Sequence, residues 1–219
     1  MIERISPRIA GILGLTTEQE EILSYGLLLI RSTLLSLAAV VLAGVIAGNL
    51  LGALLISLVV AILRIFGGGA HCDTEYRCAV TSAVIFGGLG FFAPRLVEWV
   101  KPEYVEVLTV QLILISTYIW APLASPQKPI QSVEHRRKFR FLSYAAILML
   151  TGIMFWTFYL DYVLISTCIA IGFGWQSLLI SPAGSKLIGG FDWLLARIDL
   201  GIRRLQGTQL NSVGKSRWR

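Results

Sequence analysis

A histidine and two cysteines stand close together in residues 64–78, where an otherwise apolar chain gathers most of its reactive side chains. The segment reads Arg-Ile-Phe-Gly-Gly-Gly-Ala-His-Cys-Asp-Thr-Glu-Tyr-Arg-Cys. Cysteine is a nucleophile as the thiolate, and its free pKa of about 8.5 means that it needs a neighbouring base or a positive field. We predict that Cys78 is a nucleophile and His71 its general base. From these residues alone, the alternative is that both are structural.

The spacing of this pair restricts its geometry. Residues seven apart in a continuous helix share a face but lie about 10 Å apart along the axis, so His71 could not contact Cys78. Either the chain is broken between them, or the two side chains meet across a dimer. We favour a break, since Gly67, Gly68 and Gly69 allow unusual backbone conformations just upstream.

Two carboxylates near the pair could orient the imidazole. Glu75 lies four residues after His71 and could be the third member of a triad, and Asp73 could serve likewise. The alternative is that both carboxylates only balance Arg64 and Arg77 at the level of the lipid headgroups.

The three cysteines of the chain do not indicate a metal site or a disulfide framework. His71, Cys72 and Cys78 are ligand types that suit zinc. A structural zinc site takes four ligands, however, and His135 lies in a separate loop. We expect free thiols, no metal and no cofactor, with Cys72 a bystander and Cys168 an apolar packing residue.

Composition places these residues in a membrane protein. Of 219 residues, 55% are hydrophobic and 15% are charged, whereas soluble domains carry roughly 25% charged residues. The apolar residues form long runs, which excludes a β-barrel of alternating strands. Helices remain, because lipid offers no partner for backbone polar groups. We predict an all-α, polytopic membrane protein without a cleaved signal peptide.

About six transmembrane helices are predicted from the apolar runs. They cover residues 25–47, 50–63, 79–92, 107–123, 141–159 and 162–180. The third ends before Pro94, and the second and third are shorter than the roughly 20 residues that cross a bilayer. We therefore expect residues 64–78 to dip into the membrane edge.

Amphipathic segments flank these spans. The helical spacing of apolar residues in residues 1–23 predicts an interfacial helix or, equally, an ordinary packed helix. The apolar spacing after residue 182 predicts a basic helix on the membrane surface, and residues 206–219 are predicted to be disordered. We divide the chain into a membrane domain of residues 1–181 and a tail of residues 182–219.

The distribution of basic residues predicts the orientation. Most Lys and Arg residues fall on the side of the termini and of residues 64–78, whereas Arg95 and Lys101 fall on the opposite side and Arg31 lies within the first span. By the positive-inside rule, both termini and the candidate site are cytoplasmic.

Several motifs stand in a characteristic order along the chain: Arg64, the run Gly-Gly-Gly-Ala-His at residues 67–71, Cys78, Ala-Pro at residues 121–122 and Lys-Pro-Ile at residues 128–130. Together they resemble the AgrB family, the accessory gene regulator B membrane peptidases of Gram-positive quorum sensing. The resemblance covers roughly residues 15–180, and the tail looks longer than is usual for the family.

The resemblance implies a cysteine endopeptidase of the cell membrane with His71 and Cys78 as its catalytic pair. Its partners would be the lipid bilayer and an AgrD-type propeptide, which it would cut on the C-terminal side. The thioester acyl-enzyme would then be resolved by a cysteine or serine of the peptide, giving a thiolactone or lactone signal. No nucleic-acid partner is expected.

Further candidate residues would bind this substrate. They are Arg64, Gly67, Gly68 and Gly69 near the reacting carbonyl, and Lys128, Arg136, Arg137 and Lys138 for an acidic propeptide tail. The alternative for the latter group is that cytoplasmic loops carry such residues anyway. A homodimer is expected because short spans are accommodated more easily against protein than against lipid. One alternative class is a transporter or exporter of the signal peptide, suggested by the six spans and by the intramembrane Arg31. Another is a scaffold or sensor-partner protein without chemistry.

Overall fold

A computed structural model describes residue 9, residues 11–123 and residues 133–216, without the side chains of residue 135 and of residues beyond 199. Every regular element of these residues is an α-helix, which confirms the predicted class. In chain order the helices are α1 (Thr17–Ile46), α2 (Leu50–Gly67), α3 (Glu75–Trp99), α4 (Pro102–Trp120), α5 (Val133–Tyr159), α6 (Val163–Ile180) and α7 (Pro182–Ser216).

Five helices of the described chain are long and apolar enough to cross a membrane, where the sequence predicted about six. They are α1, α2, α3, α6 and residues Arg136–Tyr159 of α5. The predicted fourth span, α4, is not among them and carries Glu103 and Glu106 in its first turns. Helix α4 still runs the length of the bundle. Helix α3 leads away from the end that holds His71, and α4 leads back to it, because Leu123, just after α4, donates its N–H to Gly67 at that end. Multiple apolar helices make this a polytopic membrane protein.

Helix α3 continues through Pro94, so the prediction that the third span stops before this proline is wrong. Proline has no N–H, which leaves the Gly90 carbonyl without its usual helical donor. Asn49 Nδ2 donates to this carbonyl at 2.8 Å. A side chain from another helix junction thus satisfies the backbone group, as an apolar environment requires.

Helices α2 and α3 are both longer than the predicted spans. Helix α2 has 18 residues and ends at Gly67, and α3 has 25 residues and begins at Glu75. Their lengths remove the reason to expect residues 64–78 to dip into the membrane edge. They also remove the argument from short spans for a homodimer, which stays a prediction.

Helix α6 lies at the centre of the bundle and contacts α2, α3, α4 and α5. Its Phe173 and Cys168 are fully buried, as predicted for Cys168. A Cβ on Gly172 would stand 2.6 Å from Cγ1 of Val59. The small residue therefore lets α2 and α6 approach closely, as is typical of helix pairs in membranes.

The two ends of the chain differ from the sequence predictions. The sequence predicts disorder for residues 206–219, whereas residues 206–216 continue α7 as a helix and residues 217–219 lie outside the described residues. At the N-terminus, residues 1–8 and 10 also lie outside them, and residues 11–13 form a separate helical turn before α1. The membrane-surface location of both segments and the boundary at residue 181 stay predictions.

Candidate active site

The chain is broken between α2 and α3, as a direct contact of His71 with Cys78 requires. Gly68 and Gly69 have φ angles of +74° and +148°, which favour glycine. A Cβ on Gly68 would collide with the carbonyl oxygen of Leu123. The new helix begins after Thr74, whose side chain accepts the N–H of Arg77 at 3.4 Å. The predicted break within one chain is confirmed.

Hydrogen bonds from other parts of the chain hold residues 67–70 in place. Leu123 N–H donates to Gly67 O at 3.0 Å, Gln176 Nε2 to Gly68 O at 2.9 Å, and Ala70 N–H to Leu179 O at 3.2 Å. Gly68 gives its own N–H to Arg64 O at 3.0 Å. The glycines therefore shape and anchor this connection, and the role of their N–H groups toward an oxyanion stays a prediction.

The side chains of His71, Cys72 and Cys78 come together at this connection. Both His71 and Cys72 make side-chain hydrogen bonds to Cys78. The bond to Cys78, together with partial burial, raises the pKa of the Cys72 thiol. Cys72 therefore stays protonated and donates its S–H to the Cys78 sulfur. Cys72 is therefore part of the cluster, whereas the sequence predicts it to be a bystander.

Arg64 supplies positive charge beside the two cysteines. Its guanidinium donates to the carbonyl of Ala70 and interacts electrostatically with both Cys72 and Cys78. Its Nε is buried and finds no hydrogen-bond partner among the described residues. Arg64 thus keeps its Nε–H without a partner in the neighbourhood of the two cysteines.

A small cavity, partly open to the surface, lies beside these groups. Its polar wall contains Arg64, His71, Cys72, Cys78, Thr81 and Ser82, and its apolar wall contains Ile85, Phe86, Trp175, Leu179 and Ile188. His71 is exposed, whereas Cys78 is half-buried. The cavity therefore offers a partly apolar space in which an acyl group could meet the sulfur.

Glu75 lies in the first turn of α3 but pairs with a different residue than predicted. Its Oε2 accepts hydrogen bonds from Nε and a terminal nitrogen of Arg31 on α1, both at 2.7 Å. Glu75 at the start of α3 therefore neutralises the positive charge of Arg31 within the first span. The role of Glu75 as an orienter of His71 stays a prediction, and the geometry assigns this carboxylate to Arg31.

The predicted basic group lies at the same end of the bundle as the cavity. Arg136, Arg137 and Lys138 are exposed in the first turns of α5, rather than in a loop. Two residues later, Arg140 Nε donates to Ala121 O at 3.0 Å, close to the segment that bonds to Gly67. Lys128 lies outside the described residues.

Sequence reasoning missed polar residues of the site, among them Thr81 and Asp192. Thr81 Oγ1 lies 3.5 Å from Cys72 Sγ, one turn after Cys78 on α3. Asp192 of α7 accepts from Arg77 at 2.9 Å and from the N–H of Asp73 at 3.2 Å. Helical spacing could have indicated Thr81, but nothing in the spacing connects Asp192 to residues more than a hundred positions earlier. Within the described chain, no group of three or more His, Cys, Asp or Glu side chains is arranged to hold a metal ion.

Fold and site together define a polytopic helical membrane protein with a His–Cys pair in contact at one end of its bundle. The model of the accessory gene regulator B family, AgrB, matches residues 2–180. The chain belongs to this family, which links it to peptide processing in accessory gene regulator systems.

Known relatives carry the same family description. An AgrB-like protein of Clostridium perfringens (strain SM101 / Type A) is 24% identical over 201 residues, covering 86% of this chain and 93% of the relative. A second one, from C. perfringens (strain 13 / Type A), is 26% identical over 201 residues, with 88% and 89% covered. An AgrB-like protein of Listeria innocua is 27% identical over 127 residues, covering 58% and 59%. No solved structure matches the chain.

Proposed function

We propose that this protein is a cysteine endopeptidase that cuts an AgrD-type propeptide and cyclises the product. The observation that carries the proposal is the contact of His71 and Cys72 with the Cys78 sulfur across the break between α2 and α3. Neighbouring Arg64 adds positive charge, and a positive field favours the nucleophilic thiolate. Membership of the AgrB family supports the same assignment.

The first step forms a thioester. The Cys78 thiolate attacks the carbonyl carbon of the scissile bond, and His71, holding the thiol proton, transfers it to the departing amine. The C–N bond breaks and releases the C-terminal fragment, while the N-terminal part stays on the Cys78 sulfur. Arg64, whose Nε–H has no partner among the described residues, would donate to the oxyanion of the tetrahedral intermediate.

The second step closes the ring. A cysteine thiol or serine hydroxyl of the bound peptide attacks the thioester carbonyl, loses its proton to His71 and forms a thiolactone or lactone. The Cys78 thiolate leaves and is ready for another cycle. Water must be kept from the thioester during this exchange, and the apolar wall with Phe86 and Trp175 would limit its access.

We also propose that the site and both termini are cytoplasmic and that Arg136 and Arg137 bind the acidic tail of the propeptide. Exposed basic residues at the site end of α5 support both points, because cytoplasmic ends carry the excess of Lys and Arg. Transport of the peptide has less support, since Arg31, the charge that suggested it, is paired with Glu75.

The test is cleavage of an AgrD-type propeptide by the purified protein in liposomes. We expect Cys78→Ala and His71→Ala each to abolish release of the C-terminal fragment, whereas Cys168→Ala, buried in α6, leaves it unchanged. Mass spectrometry identifies the fragment and the cyclic product. Normal cleavage by either of the first two variants would refute the assignment. Movement of labelled, uncleaved peptide into sealed liposomes would favour transport.

A further inference from the structure

Helix α7 returns from α6 to the candidate active site, although the matched family region ends at residue 180. Ser181 makes the turn: its hydroxyl donates to Leu178 O at 2.7 Å and accepts the N–H of Gly184 at 3.3 Å. A Cβ on Gly184 would collide with the backbone of Leu178. The tight turn directs α7 across α6 and onto α3.

One face of α7 forms part of the cavity wall. Ile188 is 5% exposed and packs against Val60 and Leu179, close to Cys72. Asp192 lies four residues later on the same face and is 8% exposed. The tail helix therefore brings both an apolar and an acidic side chain to the site.

The carboxylate of Asp192 holds the chain on both sides of the break. Its Oδ1 accepts the backbone N–H of Asp73, which follows His71 by two residues. Its Oδ2 accepts from the guanidinium of Arg77, which directly precedes Cys78. A carboxylate that is largely removed from water is stable as a charged group only when paired, and here both oxygens have partners.

We propose that Asp192 is a positioning residue for the reaction at Cys78, and that α7 is a built part of the active site. By fixing Asp73 and Arg77, it keeps the two halves of the broken connection together, so that the His71 imidazole stays in contact with the Cys78 sulfur. The inference rests on the proposed function in taking His71 and Cys78 as the reacting pair. Without this carboxylate, the connection would be free to open and separate them.

The test measures how fast iodoacetamide alkylates Cys78 in the full-length protein in liposomes at neutral pH, with the label located by mass spectrometry. Asp192→Asn removes the charge and is expected to slow alkylation about tenfold, equivalent to about 1.4 kcal/mol in activation free energy. Arg77→Gln removes one of the two contacts of Asp192 and should also slow alkylation, and the double variant should be no slower than Asp192→Asn, because Arg77 acts through Asp192. Asp192→Glu keeps the carboxylate and should retain most of the rate.

Two variants serve as matched controls. Lys186→Gln removes a charge from the exposed face of the same helix, and Asp161→Asn removes a carboxylate from the α5–α6 connection. Both should alkylate within about twofold of the wild type, and thermal unfolding in detergent checks that all variants are folded.

Two results would overturn the inference: a wild-type alkylation rate in Asp192→Asn, or additive effects in the double variant. If Asp192→Asn does not fold, Arg77→Gln is judged by the same rate criterion, because it leaves the bond to Asp73 intact. Alkylation needs no propeptide, so the two proposals fail separately. A wild type that cleaves nothing, together with slowed alkylation in Asp192→Asn, refutes the peptidase and supports the role of Asp192.

Discussion

The two connections on either side of α2 use their polar side chains in opposite ways. In the α1–α2 connection, Asn49 satisfies the backbone with both ends of its amide. Its Oδ1 accepts the N–H of Gly52 at 3.0 Å and its Nδ2 donates to Gly90 O at 2.8 Å. The α1–α2 connection is therefore stabilised by its own side chain, and both polar atoms of the Asn49 amide bond to the backbone.

The α2–α3 connection is instead held from outside. Donors and acceptors from Leu123, Gln176, Leu179 and Asp192 hold its backbone. Its own side chains, His71 and Cys72, therefore remain available at a cavity beside Cys78. A connection that other elements hold in place can present reactive groups without losing its shape, which is how rigid scaffolds commonly support functional loops.

The largest predicted effect is a loss in the free energy of unfolding when a methyl group is added to a glycine of each connection. Gly68→Ala would force an L-residue into φ +74° and push its Cβ into Leu123 O. Gly48→Ala has a similar φ of +77°, but nothing lies within 4 Å of the added Cβ. We expect Gly48→Ala to cost about 1 kcal/mol from backbone strain, and Gly68→Ala about 1–3 kcal/mol more from the clash.

Thermal unfolding in detergent, followed by circular dichroism, measures this difference between the glycine variants. Equal losses of stability in the two would mean that the α2–α3 connection is not anchored by Leu123 as the structure describes.

Local rules predicted the break in the site but not what holds it. The rise of a helix fixes how far apart His71 and Cys78 would lie, so a break followed from spacing alone. Partners distant in sequence could not be predicted in this way. Arg31 forms an ion pair with Glu75, 44 positions away in the sequence. Asp192 forms one with Arg77, 115 positions away.

The same limitation explains the error at Pro94. A proline locally predicts a helix end because it removes a hydrogen bond, but the structure supplies that bond from Asn49. The apolar runs predicted which segments are helical, since any segment in lipid must satisfy its backbone internally. They could not predict helix ends that depend on side chains from other helices.

An intermediate effect is predicted when one hydrogen-bonding side chain is removed from each connection. Asn49→Ala should lower the free energy of unfolding by about 1–2 kcal/mol, since it removes a helix cap and a buried bond to Gly90 O. It should leave the alkylation rate of Cys78 in the folded protein unchanged. Gln176→Leu leaves Gly68 O unpaired, and we expect it to slow alkylation of Cys78 about fivefold, equivalent to about 1 kcal/mol.

The comparison of these two variants requires both unfolding and alkylation measurements on each. A slower alkylation in Asn49→Ala than in Gln176→Leu would contradict the distinction between the two connections.

The smallest predicted effect concerns Cys72, whose raised pKa keeps it a thiol that donates to the Cys78 sulfur. Cys72→Ala removes this donor and should slow alkylation of Cys78 at neutral pH about threefold, equivalent to less than about 1 kcal/mol. Cys72→Ser restores an O–H donor at the same position and should recover most of the rate. In the wild type, iodoacetamide should label Cys78 before Cys72, since the thiolate is the reactive form. If Cys72 is labelled first, the roles of the two cysteines are reversed, and Cys72 rather than Cys78 is the nucleophile beside His71.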